Sequence, residues 1–252
     1  FLKAVDDEIK SLIAQGFVEF TEPPLPKEEA HYLPLLAVKK AGSTPDNIRV
    51  RLVNDAGARS KDEAGLNDVL FVGENLVADL LKVLLKFRQS RFVVCADIEK
   101  AYLQFEIKPE HRTFLRFLWP LGISDNPRAP VRELRSCRLS FGLISAPWQH
   151  CAGIRLHLEN EIKAKPQYAE ILEDVRDTFY IDDITARAET VNEGKKAVDI
   201  LVEVFKAGCF PLSKFATAST EIGKYIKEKY PHASVTYEDA NHKRSEERRV
   251  GK

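Results

Sequence analysis

The chain carries no methionine, no excess charge of either sign and no paired-cysteine motif, and each absence narrows what it can be. Lys+Arg and Asp+Glu number 38 each, so no global field advertises a polyanionic partner. Any nucleic-acid contact then needs local basic patches. The four cysteines, Cys95, Cys137, Cys151 and Cys209, form no C-x-x-C pair and sit mostly in apolar surroundings. They read as free buried thiols in a reducing compartment rather than a disulfide framework. The six histidines are scattered without ligand spacing, which argues against a zinc site. No apolar run approaches the roughly 18 residues that span a membrane, and no signal peptide is visible. No internal repeat supports a solenoid. The absence of Met and the start at Phe1 read as a piece of a longer product, and the terminal "KRSEERRVGK" reads as a charged tail outside the fold.

What is present is an ordinary globular composition, 44% hydrophobic and 30% charged. At 252 residues the chain is near the upper size for one core, so one large domain or a few interleaved subdomains are expected. Val5, Ile9, Leu12 and Ile13 recur at helical spacing before Gly16. The Pro-rich "EPPLPKEE" (22–29) reads as a connector, and "LPLLAVKK" and "IRVRLVND" as the two strands of a hairpin. "ENLVADLLKVLLKFRQS" predicts a helix with a wide apolar face. "RFVVCADI" predicts a buried strand, "YLQFEI" a second one by its alternation, and "TFLRFLW" and "LRSCRLSF" two more. "SAPWQHCAGIRLHLENEI" predicts a helix capped by Ser145, with Pro147 in its first turn. A strand pair over "DTFYIDDITA", a helix over 191–207 and a short strand in "CFPLSKFA" complete a mixed α+β layout with helices packed on an antiparallel sheet.

Chemistry concentrates in carboxylates at strand ends. Asp97 closes the apolar run "FVVCAD", where a charge is costly unless it is paired or bound to a metal. Asp182 and Asp183 interrupt a second strand-like run 85 residues later. Adjacent Asp residues often make a plain turn, and that reading stays open for the pair alone. If the two strands are neighbours, three carboxylates converge, and a hard divalent cation relieves their repulsion. Two such ions about 3.5–4 Å apart would activate a hydroxyl and stabilise a pyrophosphate leaving group.

The surrounding boxes carry a resemblance. "YIDD" (Tyr180–Asp183) resembles the Y-x-D-D box of reverse transcriptases. "ADIEKAYLQFEI" (Ala96–Ile107) resembles their first palm motif, "FGLISAPWQ" (Phe141–Gln149) the second, and "GCFPLSKF" (Gly208–Phe215) the Lys-bearing motif that follows the hairpin. "IRVRLVNDAGARS", "GLNDVLFVGENLVADLLKVLLKFR", "ADIEKAYLQ" and "FLRFLW" are similar to the polymerase region of Bel–Pao retrotransposons. The chain departs from that family at Leu35 and Leu36 (commonly two His), Gly57 and Ala146 (usually Ser) and Ser140 (usually Pro). None of these positions is a carboxylate.

The resemblance implies a right-hand RNA-directed DNA polymerase of a retroelement polyprotein, α+β in class, with an antiparallel palm sheet backed by helices. Fingers would span 1–72 and 108–143, palm 73–107 and 144–216, and 217–240 the palm end or the start of a thumb, with 241–252 a tail. Asp97, Asp182 and Asp183 would hold two Mg²⁺ ions (Mn²⁺ as the alternative), with the Ile98 carbonyl as a further ligand. Tyr102 would be the steric gate against a ribose 2′-OH. Arg51 and Arg49 would grip the triphosphate, Phe141 and Gly142 would line the nucleotide pocket, and Lys214 would act as general acid for pyrophosphate. Partners would be RNA and DNA template–primer, dNTPs and the rest of the polyprotein, with no membrane. The location would be intracellular and cytoplasmic, within virus-like particles. The Arg128, Arg132, Arg135 and Arg138 cluster reads either as a template contact or as a solvated strand edge. Lys86, Arg88 and Arg91 would add duplex grip. A palm-fold nucleotide cyclase would show a G-G-D/E-E-F turn where "YIDD" stands. The competing reading is a decayed or domesticated fragment that only binds nucleic acid or proteins.

Overall fold

The computed structural model describes residues 1–21, 30–61 and 64–237. The Pro-rich connector (22–29) and the charged tail lie outside the described residues. In chain order the first elements are α1 (Leu2–Ala14), β1 (Val18–Phe20), β2 (Leu35–Lys39), β3 (Val50–Asn54), α2 (Leu66–Val69), α3 (Leu80–Gln89), β4 (Phe92–Ile98), β5 (Arg116–Pro120) and β6 (Val131–Ser136). They are followed by α4 (Ala146–Ala164), α5 (Ala169–Thr178), β7 (Asp183–Ala188), α6 (Val191–Ala207), β8 (Leu212–Thr217), α7 (Thr220–Lys229) and β9 (Val235–Tyr237). The architecture is mixed α+β, as expected. No described helix is long and apolar enough to cross a membrane.

Among the described residues two compact units form, one within 1–74 and 102–149, the other within 75–101 and 150–237. In the first, β6 lies between β1 and β5, antiparallel to both, and β2 and β3 form a separate hairpin. The helical periodicity of α1 buries Val5, Ile9 and Leu12 against Val18, Val50, Phe117 and Leu134. Gly16 ends α1 in the left-handed region at φ +69°, where a residue without Cβ is favoured.

The second unit holds the sheet β7-β4-β8-β9. β4 runs antiparallel to both neighbours, and β9 joins the edge parallel to β8. Alternate residues Val94 and Ala96 of β4 bury one face with Phe215, against Val198 of α6 and Ile222 and Ile226 of α7. Each of the Val, Ile and Phe side chains contributes roughly 1.5–3 kcal/mol on burial, so this face anchors the sheet. The opposite face carries Cys95 and Asp97, both only half-buried.

Several expected elements differ. "YLQFEI" is not a strand: Ala101–Gln104 form a 3₁₀ turn, and Pro109–Phe114 another. Tyr102 and Phe105 share one partly buried cluster, a three-residue spacing that suits a turn rather than a pleat. The first arm of the "DTFYIDDITA" pair is helical as far as Thr178, because Leu172, Val175 and Thr178 bury the inner face of α5. The helix predicted from Glu74 begins at Leu80, where the Asp79 side chain accepts from the Lys82 amide, and it buries only Val83. Its leucines 80, 81, 84 and 85 are exposed. β6 covers 131–136, earlier than the predicted segment, and is the middle strand of its sheet rather than an edge. Cys137 and Cys151 are buried, whereas Cys95 is intermediate and Cys209 exposed.

Candidate functional site

The second unit brings the three predicted aspartates together. β4 and β7 pair in a register that sets Asp97 directly opposite Asp183. Ahead of β7 the chain turns tightly: the Tyr180 amide donates to the Asp183 carbonyl (3.1 Å), and the Asp183 amide donates back to Tyr180 (2.9 Å). Asp182 therefore sits in the turn, beside the end of β4, where the Ile98 amide donates to the Asp182 carbonyl at 3.2 Å. Carboxylate oxygens of Asp97, Asp182 and Asp183 all lie within 4.8 Å of one another. Like charges directly across an antiparallel pair are destabilising, so the strands hold this cluster against its own repulsion. Burial first, then the charges of Asp182 and Asp97, push the Asp183 carboxyl above its ordinary range, against the pull of Lys214.

Lys214 reaches the cluster through a bulge. β4 pairs Cys95 with Ala216 but Asp97 with Ser213, so Lys214 and Phe215 together oppose Ala96. Lys214 takes φ +50°, and the bulge aims its ammonium at Asp97, 2.5 Å from Oδ2. The Lys214 side chain is 71% exposed, so this pair adds little stability. An oxygen-only donor set that is crowded, partly open and poorly neutralised suits a hard divalent cation, and the residues present fit one.

The first unit assembles a different cluster. Arg51, on the exposed face of β3, stacks its guanidinium 4.8 Å from the centre of the Phe141 ring. The Tyr102 ring lies 5.0 Å from that of Phe141, tilted by 50°. Gly142 adopts φ +103°, and a Cβ there would stand 1.8 Å from the Asn54 carbonyl oxygen. Only glycine permits this approach, which also lets the Asn54 amide donate to the Phe141 carbonyl at 3.0 Å. Arg49 does not join the cluster; it donates to the Ala41 carbonyl of its own hairpin loop at 3.2 Å.

Of the predicted residues, Asp97, Ile98, Asp182, Asp183 and Lys214 thus gather in one unit, and Arg51, Tyr102, Phe141 and Gly142 in the other. Sequence reasoning missed two residues. Asn67 clamps the Gly142 turn, donating to the Gly142 carbonyl and accepting from the Ile144 amide, both at 2.9 Å. Its signal was an amide in "GLND", within the short helix α2. His150, set aside with the other histidines, is fully buried, and its Nε2 lies 2.7 Å from the Ile181 carbonyl. Burial holds its imidazole below the usual value, against the Ile181 carbonyl and the Asp182 charge.

The basic groups proposed as nucleic-acid contacts are largely engaged within the fold. Arg135 pairs with Glu19 at 2.6 Å, and Arg132 and Arg138 lie over Phe20 and Phe17. Lys86 stands 3.7 Å from Asp174 and 3.8 Å from Asp177, and Arg91 lies over Phe92.

No protein-family model and no curated protein matches the chain. Among solved structures, the foamy viral protease–reverse transcriptase dRH in complex with double-stranded DNA is similar, with a TM-score of 0.58 and 17% identity. The match covers 84% of this chain and 30% of that one, so this chain corresponds to under a third of that protein. At this identity the likeness establishes the fold: the chain folds like a reverse transcriptase.

Proposed function

We propose that the chain is the fingers and palm of an RNA-directed DNA polymerase from a Bel–Pao-like retroelement, the first unit acting as fingers and the second as palm. The observation that carries this reading is the pairing of Asp97 with Asp183, which with Asp182 gathers three carboxylates within 4.8 Å. Asp97, Asp182 and Asp183, with the Ile98 carbonyl, would hold two Mg²⁺ ions (Mn²⁺ as the alternative), which when bound supply charge neutralisation and an acidified primer hydroxyl.

The chain's own residues do the remaining work. Arg51 leaves the Phe141 ring to pair bidentately with the nucleotide triphosphate, a task that suits a planar guanidinium. Arg49 can do the same on releasing the Ala41 carbonyl. Phe141 and Gly142 form a flat wall for the nucleotide, and the Tyr102 ring excludes a ribose 2′-hydroxyl. Lys214 Nζ donates a proton to the departing pyrophosphate. Catalysis is then mainly positioning and electrostatics. The partners are a template–primer, dNTPs and the rest of a retroelement polyprotein, and the setting is a cytoplasmic virus-like particle.

The test is primer extension on an RNA template with purified protein. Extension that requires a divalent cation and disappears in Asp182→Asn supports the reading. A protein that binds template–primer but adds no nucleotide with either metal, while the longer polyprotein does, overturns it for this chain and leaves the binding-module reading.

A further inference from the structure

The turn that presents Asp182 and Asp183 has an awkward residue at its first central position. Ile181 takes φ +58°, in the left-handed region, while Asp182 remains outside it. That combination matches a type II′ hairpin turn, whose first central position favours glycine. A β-branched side chain there is strained and persists only where its surroundings over-determine it. Tyr180 and Asp183 close the turn from below with their two backbone hydrogen bonds. That closure leaves the peptide plane between Ile181 and Asp182 to be set by something else.

His150 supplies that constraint. It lies in the first turns of α4, is fully buried, and packs its ring 5.6 Å from that of Phe179, itself buried just before the turn. Its Nε2 stands 2.7 Å from the Ile181 carbonyl oxygen. A carbonyl only accepts, so the imidazole must carry its proton on Nε2 and donate. In the next peptide unit, between Asp182 and Asp183, the Ile98 amide donates to the Asp182 carbonyl. The Ile181 and Asp182 carbonyls are therefore pinned from opposite elements, α4 and β4. These two peptide planes flank the Asp182 Cα, and the direction of its side chain follows from them.

We infer that His150 is a positioning residue for the carboxylate turn: its Nε2–H holds the Ile181 carbonyl, and with it the strained backbone that aims Asp182 and Asp183 at Asp97. The inference rests on the polymerase reading only for its effect on turnover. Its effect on cation binding stands without it. The geometry also sets which replacement can substitute. A Gln amide nitrogen reaches the position of imidazole Nε2, whereas an Asn amide stops near Nδ1, short of the carbonyl.

The experiment compares wild type with His150→Phe, His150→Asn and His150→Gln, checking the fold of each by circular dichroism. One arm titrates Tb³⁺ by tyrosine-sensitised luminescence. The other measures kcat and KM for a single dNTP addition. Loss of a buried hydrogen bond predicts Tb³⁺ binding and kcat each weakened by about 10- to 100-fold in His150→Phe and His150→Asn, with KM for dNTP nearly unchanged. His150→Gln should stay within about threefold of wild type on the same scale. Wild-type Tb³⁺ affinity in His150→Asn, or equal damage in His150→Gln and His150→Asn, overturns the inference. If His150→Phe does not fold, the Gln and Asn pair decides alone. If wild type adds no nucleotide, the polymerase reading fails while the Tb³⁺ arm still decides the role of His150.

Discussion

The two units assemble their candidate residues by opposite physics. In the second, three like charges are held within 4.8 Å of one another by paired strands and a pinned turn. In the first, Arg51, Phe141 and Tyr102 attract one another as a guanidinium on a ring and a ring beside a ring. The carboxylate cluster costs stability, a cost that a bound cation would relieve. The aromatic cluster contributes stability, and under the proposed function a nucleotide would displace part of it. That displacement is cheap, since a partly exposed cation–π contact is worth only about 0.5–1 kcal/mol. A bidentate charge-assisted contact outweighs it, so Arg51 can be stored on Phe141 and still be available.

The largest effect expected from breaking this comparison lies on the repulsive side. If the proposed function holds, Asp97→Asn or Asp182→Asn should lower primer extension by about a thousandfold or more, since both would remove oxygen ligands and charge from the reacting centre. Far-UV circular dichroism should be unchanged in either variant. On the attractive side, Arg51→Ala should lower kcat/KM for dNTP by about 100-fold, chiefly through KM, and Arg51→Lys should recover only part of it because an ammonium cannot pair bidentately. Single-nucleotide kinetics would show the split, and a loss confined to kcat would contradict the storage role.

Gly142→Ala sharpens the contrast through backbone alone. Its Cβ would meet the Asn54 carbonyl at 1.8 Å, so urea denaturation should show a loss of about 2–3 kcal/mol. The smallest effect should come from Asp183→Asn without metal. The folded-state carboxyl is raised, so the folded protein binds more protons than the unfolded chain, and stability falls as pH rises from the ordinary carboxylate value through the raised one. Removing the charge should flatten that slope and raise stability above the raised carboxyl range by only about 0.5–1 kcal/mol, because solvent screens this exposed group. Thermal melts at several pH values, with and without Mg²⁺, would check both the sign and its reversal by cation.

Much of this was legible in the residues. Val5, Ile9 and Leu12 marked α1, Gly16 marked its end, and the apolar periodicity of 191–207 marked α6 at its observed bounds. Asp97, Asp182 and Asp183 stood out because a charge in an apolar run needs a reason. The misses have specific causes. The alternation in "YLQFEI" is too short to separate a strand from a turn that packs Tyr102 and Phe105 together. The strand-forming residues Phe179 and Tyr180 concealed that α5 persists to Thr178, because the buried positions of α5 begin well upstream. Arg132 and Arg135 resembled a free basic edge, since Glu19 and Phe20, which engage them, lie more than a hundred residues earlier. Asn67 and His150 carried no spacing signal, because each acts on a backbone carbonyl far along the chain.

The sequence by itself determined which side chains could be charged, apolar or conformationally strained, and it placed three acidic residues in two strand-forming runs. Whether those positions would meet was decided only by tertiary structure. Strand register is a pairing between segments 85 residues apart, and a slip of one residue would turn Asp97 to the opposite face of the sheet. Packing of α6 and α7 on Val94 and Ala96 selects the register that leaves Asp97 opposite Asp183. The bulge at Lys214 and the hydrogen bond from His150 then set the remaining directions, through backbone geometry that no local pattern of residues encodes.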